Sequence, residues 1–220
     1  MTERAIQGES GAALPPSGPA AAHATALDQR LARILVRPLA RTPITPNQVT
    51  LISLIAGLGA AALIALGGTW AHWGAGLFIL AAWLDHFDGE LARLTGRTSE
   101  FGHYFDHVAA LVTYCALFVG IGIGPEESWL DPWDVPAGIV AGLAVAAIFA
   151  TRLWVEWRDG RAAIRQAVRG GFEIEDTLYV VGPITWLGFL EPFLAAAAVG
   201  APVFLTWVLY DAFMRKPRAA

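Results

Sequence analysis

The 220-residue sequence has few charged residues and almost no cysteine. Only 15% of the residues are Asp, Glu, Lys or Arg while 55% are hydrophobic, which excludes an ordinary soluble domain. The single cysteine, Cys115, lies in an apolar run, so an intrachain disulfide is excluded. The net charge is −4, and we expect no nucleic-acid partner. The chain is too long for a single anchor, so we expect a polytopic membrane protein of one domain.

The N-terminal region differs in composition from the rest. Residues 1–25 are rich in Ala, Pro and Gly and lack the continuous apolar stretch of a signal peptide, so we predict a disordered tail there and one membrane domain over 26–216. Within "LDQRLARILVRPLA", leucine and isoleucine recur at helical spacing with arginines between them. This pattern predicts an interfacial amphipathic helix over about 26–41 that lies flat on the membrane. An ordinary docking helix would have the same pattern.

Hydropathy predicts an all-α fold with six transmembrane helices between about residues 49 and 214. Residues 49–84 carry no Asp, Glu, Lys or Arg and are interrupted at "GGTW", so they provide the first span and most of a second that ends near Thr95. The third and fourth spans cover about 101–124 and 137–157.

The last two spans are marked by prolines. "LYVVGPITWLGFL" predicts a short fifth span with a kink at Pro183. Glu191 and Pro192 resemble an N-cap and a first-turn proline, which predicts that a sixth span begins there and ends near Met214.

All 15 Lys and Arg residues fall on one side of this six-span arrangement. They precede span one, lie between spans two and three, occur at or after the end of span four, or follow span six. Basic residues concentrate in cytoplasmic loops, so this side is expected to be the cytoplasm. We expect a multi-pass protein of the bacterial inner membrane, with both termini and the charged site described next on the cytoplasmic side.

One stretch, "DHFDGELARLTGRTSEFGHYFDHVAA", contains acidic and basic residues although it lies between apolar runs long enough to span a membrane. Asp85 and Asp88 are one turn apart on span two, and Asp106 enters from span three. At about 1.5 Å per residue, Asp88 lies about 20 Å from the outer end of its span and Asp106 about 9 Å from the inner end of its own, so their depths coincide within a core of about 30 Å. Three carboxylates are therefore expected to converge.

Carboxylates at that depth need cations or other partners. Ligation by oxygen alone favours a hard cation, Mg²⁺ or Mn²⁺, which usually bridges to a phosphate group. Gly89 and Gly102 bring the backbones close, and Arg93, one turn beyond Gly89, can contact a phosphate oxygen. The alternative is a buried network of Asp, Arg and His that only holds the helices together.

At these residues the sequence resembles the CDP-alcohol phosphatidyltransferases. The family pattern has aspartates, glycines and an Ala-Arg pair at fixed spacing, represented here by Asp85, Asp88, Gly89, Ala92, Arg93, Gly102 and Asp106. Ala110 stands where the last aspartate belongs. The likeness extends to "TPITPNQVTLISLIAGL", in which Asn47 and Thr50 open span one.

The resemblance implies a six-helix enzyme of phospholipid synthesis, usually a homodimer, that uses a CDP-linked lipid or alcohol and releases CMP. Asp85, Asp88 and Asp106 would bind metal, and Asn47, Thr50, Gly89, Arg93 and Gly102 would bind substrate. We expect phosphatidyl transfer from CDP-diacylglycerol to a small polar alcohol. The alternative is an aminoalcohol-type transfer in which the alcohol carries CDP, since "YFDH" is similar to a segment of the choline and ethanolamine phosphotransferases.

In the family the missing aspartate is the proposed general base, so Ala110 leaves three possibilities. His107, about 60° around the helix from position 110 and about 4.5 Å below it, is the candidate substitute base, whereas His103 lies about 10 Å away. The chain could instead bind substrate with little or no turnover, as an engineered Asp-to-Ala change would also cause. Third, it could be a metal-dependent lipid-binding or scaffolding protein.

The acceptor alcohol is not identified by any motif. Arg152, late in span four, lies at a depth similar to that of the aspartates and could bind an anionic acceptor or a phospholipid headgroup.

Overall fold

A computed structural model of the chain describes residues 36–125, 127–160 and 179–214. The described residues contain no β-strand and form six α-helices, with a helical turn at 36–39. The helices are α1 (Pro46–Ala65), α2 (Gly68–Thr95), α3 (Glu100–Ile123), α4 (Asp134–Asp159), α5 (Val181–Trp186) and α6 (Leu190–Met214). The prediction of an all-α protein is confirmed. The predicted tail and most of the predicted interfacial helix lie outside the described residues.

Four helices, α1, α3, α4 and α6, are long and apolar enough to cross a membrane. The chain is therefore an integral membrane protein. Helix α2 is longer still, at 28 residues, but becomes polar from Asp85 onward. Helix α5 has six residues and, at about 1.5 Å per residue, is too short to cross a bilayer alone. The total of six spans stays a prediction.

Local capping interactions fix the helix ends that border the charged stretch. Helix α1 begins with a capping box. The Gln48 backbone N–H donates to the Thr45 hydroxyl oxygen, and the Thr45 backbone N–H donates to Gln48 Oε1 over 2.9 Å. Helix α2 ends at Gly96, whose φ of +65° is left-handed and favours glycine. Ser99 then caps α3 by accepting from the Gly102 N–H over 2.9 Å. Only residues 96–99 separate the two helices that carry the motif.

The helices pack around one main apolar core. Helix α1 packs against α2 and α3, α3 against α4, α4 against α6, and α5 against α2. The largest buried members of the core are Ile64, Phe78, Tyr114, Leu117, Phe118, Ile121 and Leu194. A Cβ atom at Gly120 would lie 2.5 Å from the Ala61 carbonyl oxygen, so glycine is needed where α3 meets α1.

Three helix starts differ from the approximate sequence-based boundaries. Pro183 is the third residue of α5, which follows a 3₁₀ turn at 179–180, so within the described residues it lies in the first turn of a helix. The predicted kink within a longer fifth span stays a prediction. Helix α6 begins at Leu190, which places Glu191 in the first turn and not at the N-cap. Helix α4 begins three residues early, at Asp134, whose carboxylate accepts a 2.6 Å hydrogen bond from Ser128.

Candidate active site

A cavity of about 500 Å³ opens where the N-terminal ends of α1 and α3 meet the polar half of α2. Ligand sites commonly have this size. Seven of the residues proposed from the sequence line it, namely Asn47, Thr50, Asp88, Gly89, Arg93, Gly102 and Asp106. Asp85, His107 and Arg152 are not among its lining residues.

Three carboxylates meet beside this cavity, and two of them, Asp88 and Asp106, line it. One oxygen from each of Asp85, Asp88 and Asp106 lies within 4.8 Å of the other two. Asp88 is almost fully buried, with 5% of its surface exposed, and the other two are half-buried. Like charges this close together in a membrane protein repel unless a cation neutralises them. The donor set of carboxylate oxygens fits a hard divalent cation such as Mg²⁺ or Mn²⁺.

Thr50 on α1 orients the most buried of these carboxylates. Its hydroxyl donates a hydrogen bond to Asp88 Oδ2, and it also bonds the Pro46 carbonyl oxygen over 3.2 Å. Both partners are buried, so the bond is shielded from water. Helix α1 thereby fixes the position of a carboxylate that α2 carries.

The two motif glycines have different surroundings. A Cβ atom at Gly102 would lie 2.9 Å from Asn47 Oδ1 and 3.1 Å from Ser99 Oγ, which is tighter than normal packing allows. At Gly89 the nearest atom would be Arg93 Nη2 at 3.6 Å, an ordinary contact. A side chain at Gly102 would therefore displace the side chains of Asn47 and Ser99, whereas one at Gly89 would make only ordinary contacts with Arg93.

Arg93 is held at the cavity by a neighbour on its own helix. Its Nη2 atom lies 3.0 Å from Glu90 Oε1. Glu90 is 2% exposed, while the Arg93 side chain is 59% exposed. Glu90 thus holds the Nη2 atom of the guanidinium in place, while the exposed part of the group can donate hydrogen bonds to an anion.

The substituted motif position has apolar surroundings. Ala110 is half-buried and packs against the main hydrophobic core. His107, the predicted substitute base, hydrogen-bonds through Nδ1 to the His103 carbonyl oxygen over 3.0 Å. Arg152 is half-buried on α4.

Sequence reasoning missed one pair beside the cavity. His103, which lines the cavity, places Nε2 2.7 Å from Glu156 Oε1 on α4. The four-residue spacing of His103 and His107 was a signal that both lie on one helix face, but no pattern in the sequence identified the partner on α4.

The fold and the site define an integral membrane enzyme that transfers a phosphorus-containing group. The chain belongs to the CDP-alcohol phosphatidyltransferase family, whose sequence profile matches residues 43–210. The resemblance seen in the motif is thereby confirmed.

Two relatives and one solved structure give the range of similarity. The archaetidylinositol phosphate synthase of Pyrococcus horikoshii is 28% identical over 167 residues, which cover 70% of this chain and 85% of that protein. The CDP-diacylglycerol–glycerol-3-phosphate 3-phosphatidyltransferase of Cereibacter sphaeroides is 40% identical over 88 residues, covering 39% and 40%. The structure of Mycobacterium tuberculosis phosphatidylinositol phosphate synthase with CDP-DAG bound matches with a TM-score of 0.68 at 21% identity, over 87% of this chain and 99% of that one. This last likeness concerns the fold.

Proposed function

We propose that this enzyme transfers the phosphatidyl group of CDP-diacylglycerol to the hydroxyl of a small polar alcohol in phospholipid biosynthesis, releasing CMP. The observation that carries the proposal is the meeting of Asp85, Asp88 and Asp106 in a membrane domain, where Asp88 and Asp106 line an open cavity. Membership of the family and the named activities of the relatives support it.

In the proposed reaction the acceptor oxygen attacks the phosphorus that carries the diacylglycerol. The bond from that phosphorus to the bridging oxygen breaks, CMP leaves with the electron pair, and the hydroxyl proton passes to a base.

Asp85, Asp88 and Asp106 would hold Mg²⁺ or Mn²⁺, which would neutralise the charge of the diphosphate. Thr50 would orient Asp88, and the open face of Arg93 would bind a phosphate oxygen. Asn47, Gly89 and Gly102 would line the nucleotide, and Arg152 would bind an anionic acceptor.

His107 is the candidate base for an enzyme in which its Nε2 atom carries no metal. His107 donates its Nδ1 proton to a carbonyl, so Nε2 has the lone pair that proton transfer requires. Its position outside the cavity lining means that it would act through a water molecule or a shift of the acceptor.

We further propose six spans, a homodimer, and a site that faces the cytoplasm of a bacterial inner membrane. The positions of the basic residues support this orientation. Cysteine accessibility on each side of sealed vesicles tests it, and cross-linking in membranes tests the dimer.

A second function, binding without turnover, is favoured by one observation. The motif position of the family's base is Ala110, and an alanine cannot accept a proton. Loss of a general base typically lowers a rate by about 10²- to 10⁴-fold.

Measurement of CMP release separates these functions. Purified protein is incubated with CDP-diacylglycerol, Mg²⁺ or Mn²⁺, and a panel that includes inositol phosphate, glycerol 3-phosphate and inositol. The panel also pairs CDP-alcohols with diacylglycerol to test the reversed arrangement. A transferase releases CMP only with metal and the right acceptor, loses activity on chelation, and loses it in Asp85→Asn.

The matched control is Glu127→Gln, which removes a carboxylate from an exposed loop residue and should leave the rate unchanged. Metal-dependent CDP-diacylglycerol binding without CMP release from any pair would establish the binding-only function. Absence of both would refute both functions.

A further inference from the structure

A second group of potential metal ligands lies between α3 and α4. His103, His107 and Glu156 each offer one ligand atom, and the three atoms lie within 4.8 Å of one another. All three residues are half-buried. The group is separate from the three aspartates, and its donors are two imidazoles and one carboxylate.

Helix geometry brings the two histidines together. His103 and His107 are four residues apart on α3, so they project from the same face, and their ring centroids are 4.5 Å apart at an interplanar angle of 61°. Two histidines at this spacing on one helix are a recurrent way to provide two nitrogen ligands to Zn²⁺. Asp106, one residue before His107, points about 100° away around the helix.

The hydrogen bond of His107 determines which nitrogen can bind a metal. Nδ1 lies 3.0 Å from the His103 carbonyl oxygen, which can only accept a hydrogen bond. Nδ1 therefore carries the proton, and the lone pair is on Nε2. Histidine ligands of metals almost always donate their second ring N–H to a carbonyl or carboxylate in this way. His72 and His86 make the same intrahelical bond, so this contact sets which nitrogen of His107 is available, and the grouping with His103 and Glu156 is what favours metal binding.

Glu156 completes the group from the neighbouring helix. Its Oε1 atom lies 2.7 Å from His103 Nε2, and its side chain is 12% exposed. A dication that binds both atoms would replace the proton shared between them, so no large movement of either helix is required.

We propose that His103, His107 and Glu156 form a second metal site, of the two-histidine, one-carboxylate class, that binds a transition-metal dication such as Zn²⁺. The nitrogen donors suit Zn²⁺ and its neighbours, whereas the aspartates suit Mg²⁺ or Mn²⁺. The ion links α3 to α4 beside the cavity, because His103 lines the cavity wall. Nε2 of His107 is then occupied, so this role excludes its function as a base.

Co²⁺ titration of the full-length protein in detergent, with excess Mg²⁺ present, tests the assignment. Four-coordinate Co²⁺ with nitrogen ligands absorbs intensely in the visible range, whereas six-coordinate Co²⁺ at carboxylates absorbs weakly. We expect intense absorption that one equivalent of Zn²⁺ removes. His107→Ala and Glu156→Gln should each weaken Co²⁺ binding by more than about tenfold. Asp85→Asn should retain the absorption.

His72→Ala is the matched control. Like His107, His72 bonds through Nδ1 to the carbonyl oxygen four residues before it, over 3.2 Å, but it belongs to neither of the two ligand groups found among the described residues. This variant should bind Co²⁺ as the wild type does. Glu156→Gln keeps an acceptor for His103, and size-exclusion profiles verify that each variant is folded.

Three results would overturn the proposal. They are weak Co²⁺ absorption in the wild type, intense absorption that persists in both His107→Ala and Glu156→Gln, and equal loss in Asp85→Asn. The readout does not depend on CMP release, so failure of the transferase proposal would leave this test valid.

Discussion

The hydroxyl of Thr50 on α1 donates a hydrogen bond to the buried carboxylate of Asp88 on α2. Thr50 is 2% exposed and Asp88 is 5% exposed. A residue outside the aspartate motif thus controls the direction of a carboxylate within it. Partners of metal ligands act in this way in many sites, and their removal typically costs about 10- to 100-fold in affinity or activity.

Replacement of this hydroxyl provides the first prediction. Thr50→Val keeps the shape of the side chain but removes the hydroxyl that donates to Asp88, so we expect metal-dependent CMP release to fall about 10- to 100-fold. The metal concentration for half-maximal activity should rise. Thr50→Ser restores a hydroxyl and is the control. Equal rates for Val and Ser would show that the hydrogen bond is unimportant.

The two motif glycines should respond differently to one added methyl group. Gly102→Ala introduces a Cβ atom 2.9 Å from Asn47 Oδ1 and 3.1 Å from Ser99 Oγ, and we expect a loss of about 0.5–2 kcal/mol in stability as the Ser99 cap of α3 is displaced. Gly89→Ala meets only the end of Arg93, so its thermal midpoint should stay near that of the wild type. Thermal unfolding in detergent measures both variants. A midpoint that falls equally in the two would contradict the different packing of the glycines.

Arg93 is expected to bind phosphate through its planar guanidinium. Arg93→Lys retains the charge but loses the paired donors and the fixed geometry provided by Glu90, so CDP-diacylglycerol should bind about tenfold more weakly, or about 1.4 kcal/mol. Binding is measured directly with Mg²⁺ present. Arg41→Lys, at an exposed position outside the cavity, is the control and should bind normally. Unchanged binding by Arg93→Lys would exclude a bidentate contact.

The pair Ala110→Asp and His107→Ala tests the source of the base. If the base is simply missing, Ala110→Asp should raise CMP release by about 10²- to 10⁴-fold and His107→Ala should have no effect. If His107 is the base, His107→Ala should lower the rate by a similar factor. The apolar surroundings of Ala110 impose a stability cost on the added carboxylate, so thermal unfolding must accompany the rate measurement.

The sequence was sufficient to predict the meeting of the aspartates. Asp85, Asp88 and Asp106 lie on helices joined by a short connector, so helical periodicity and depth in the membrane determine how close they come. Hydropathy gave most ends of the long helices within about three residues, because each long apolar run ends close to the end of its helix.

Contacts between helices distant in sequence were harder to predict. The bond from His103 to Glu156 depends on how α3 and α4 rotate against each other, and 53 residues separate the two side chains. The depth expected for Arg152 matches that of the aspartates and makes it a candidate site residue, yet it is not a cavity-lining residue. Depth fixes one coordinate of a residue, whereas its direction around the helix depends on packing that hydropathy does not report.

The short connector between α2 and α3, residues 96–99, limits which insertions and deletions the site can tolerate. Each inserted residue that extended α3 would rotate Asp106 by about 100° relative to Asp88 and move it by about 1.5 Å. The number of residues between Asp88 and Asp106 therefore determines how closely the two carboxylates approach. Single substitutions around the cavity can be tolerated in degrees, whereas an inserted residue that became part of α3, and not of the connector, would separate the carboxylates in one step.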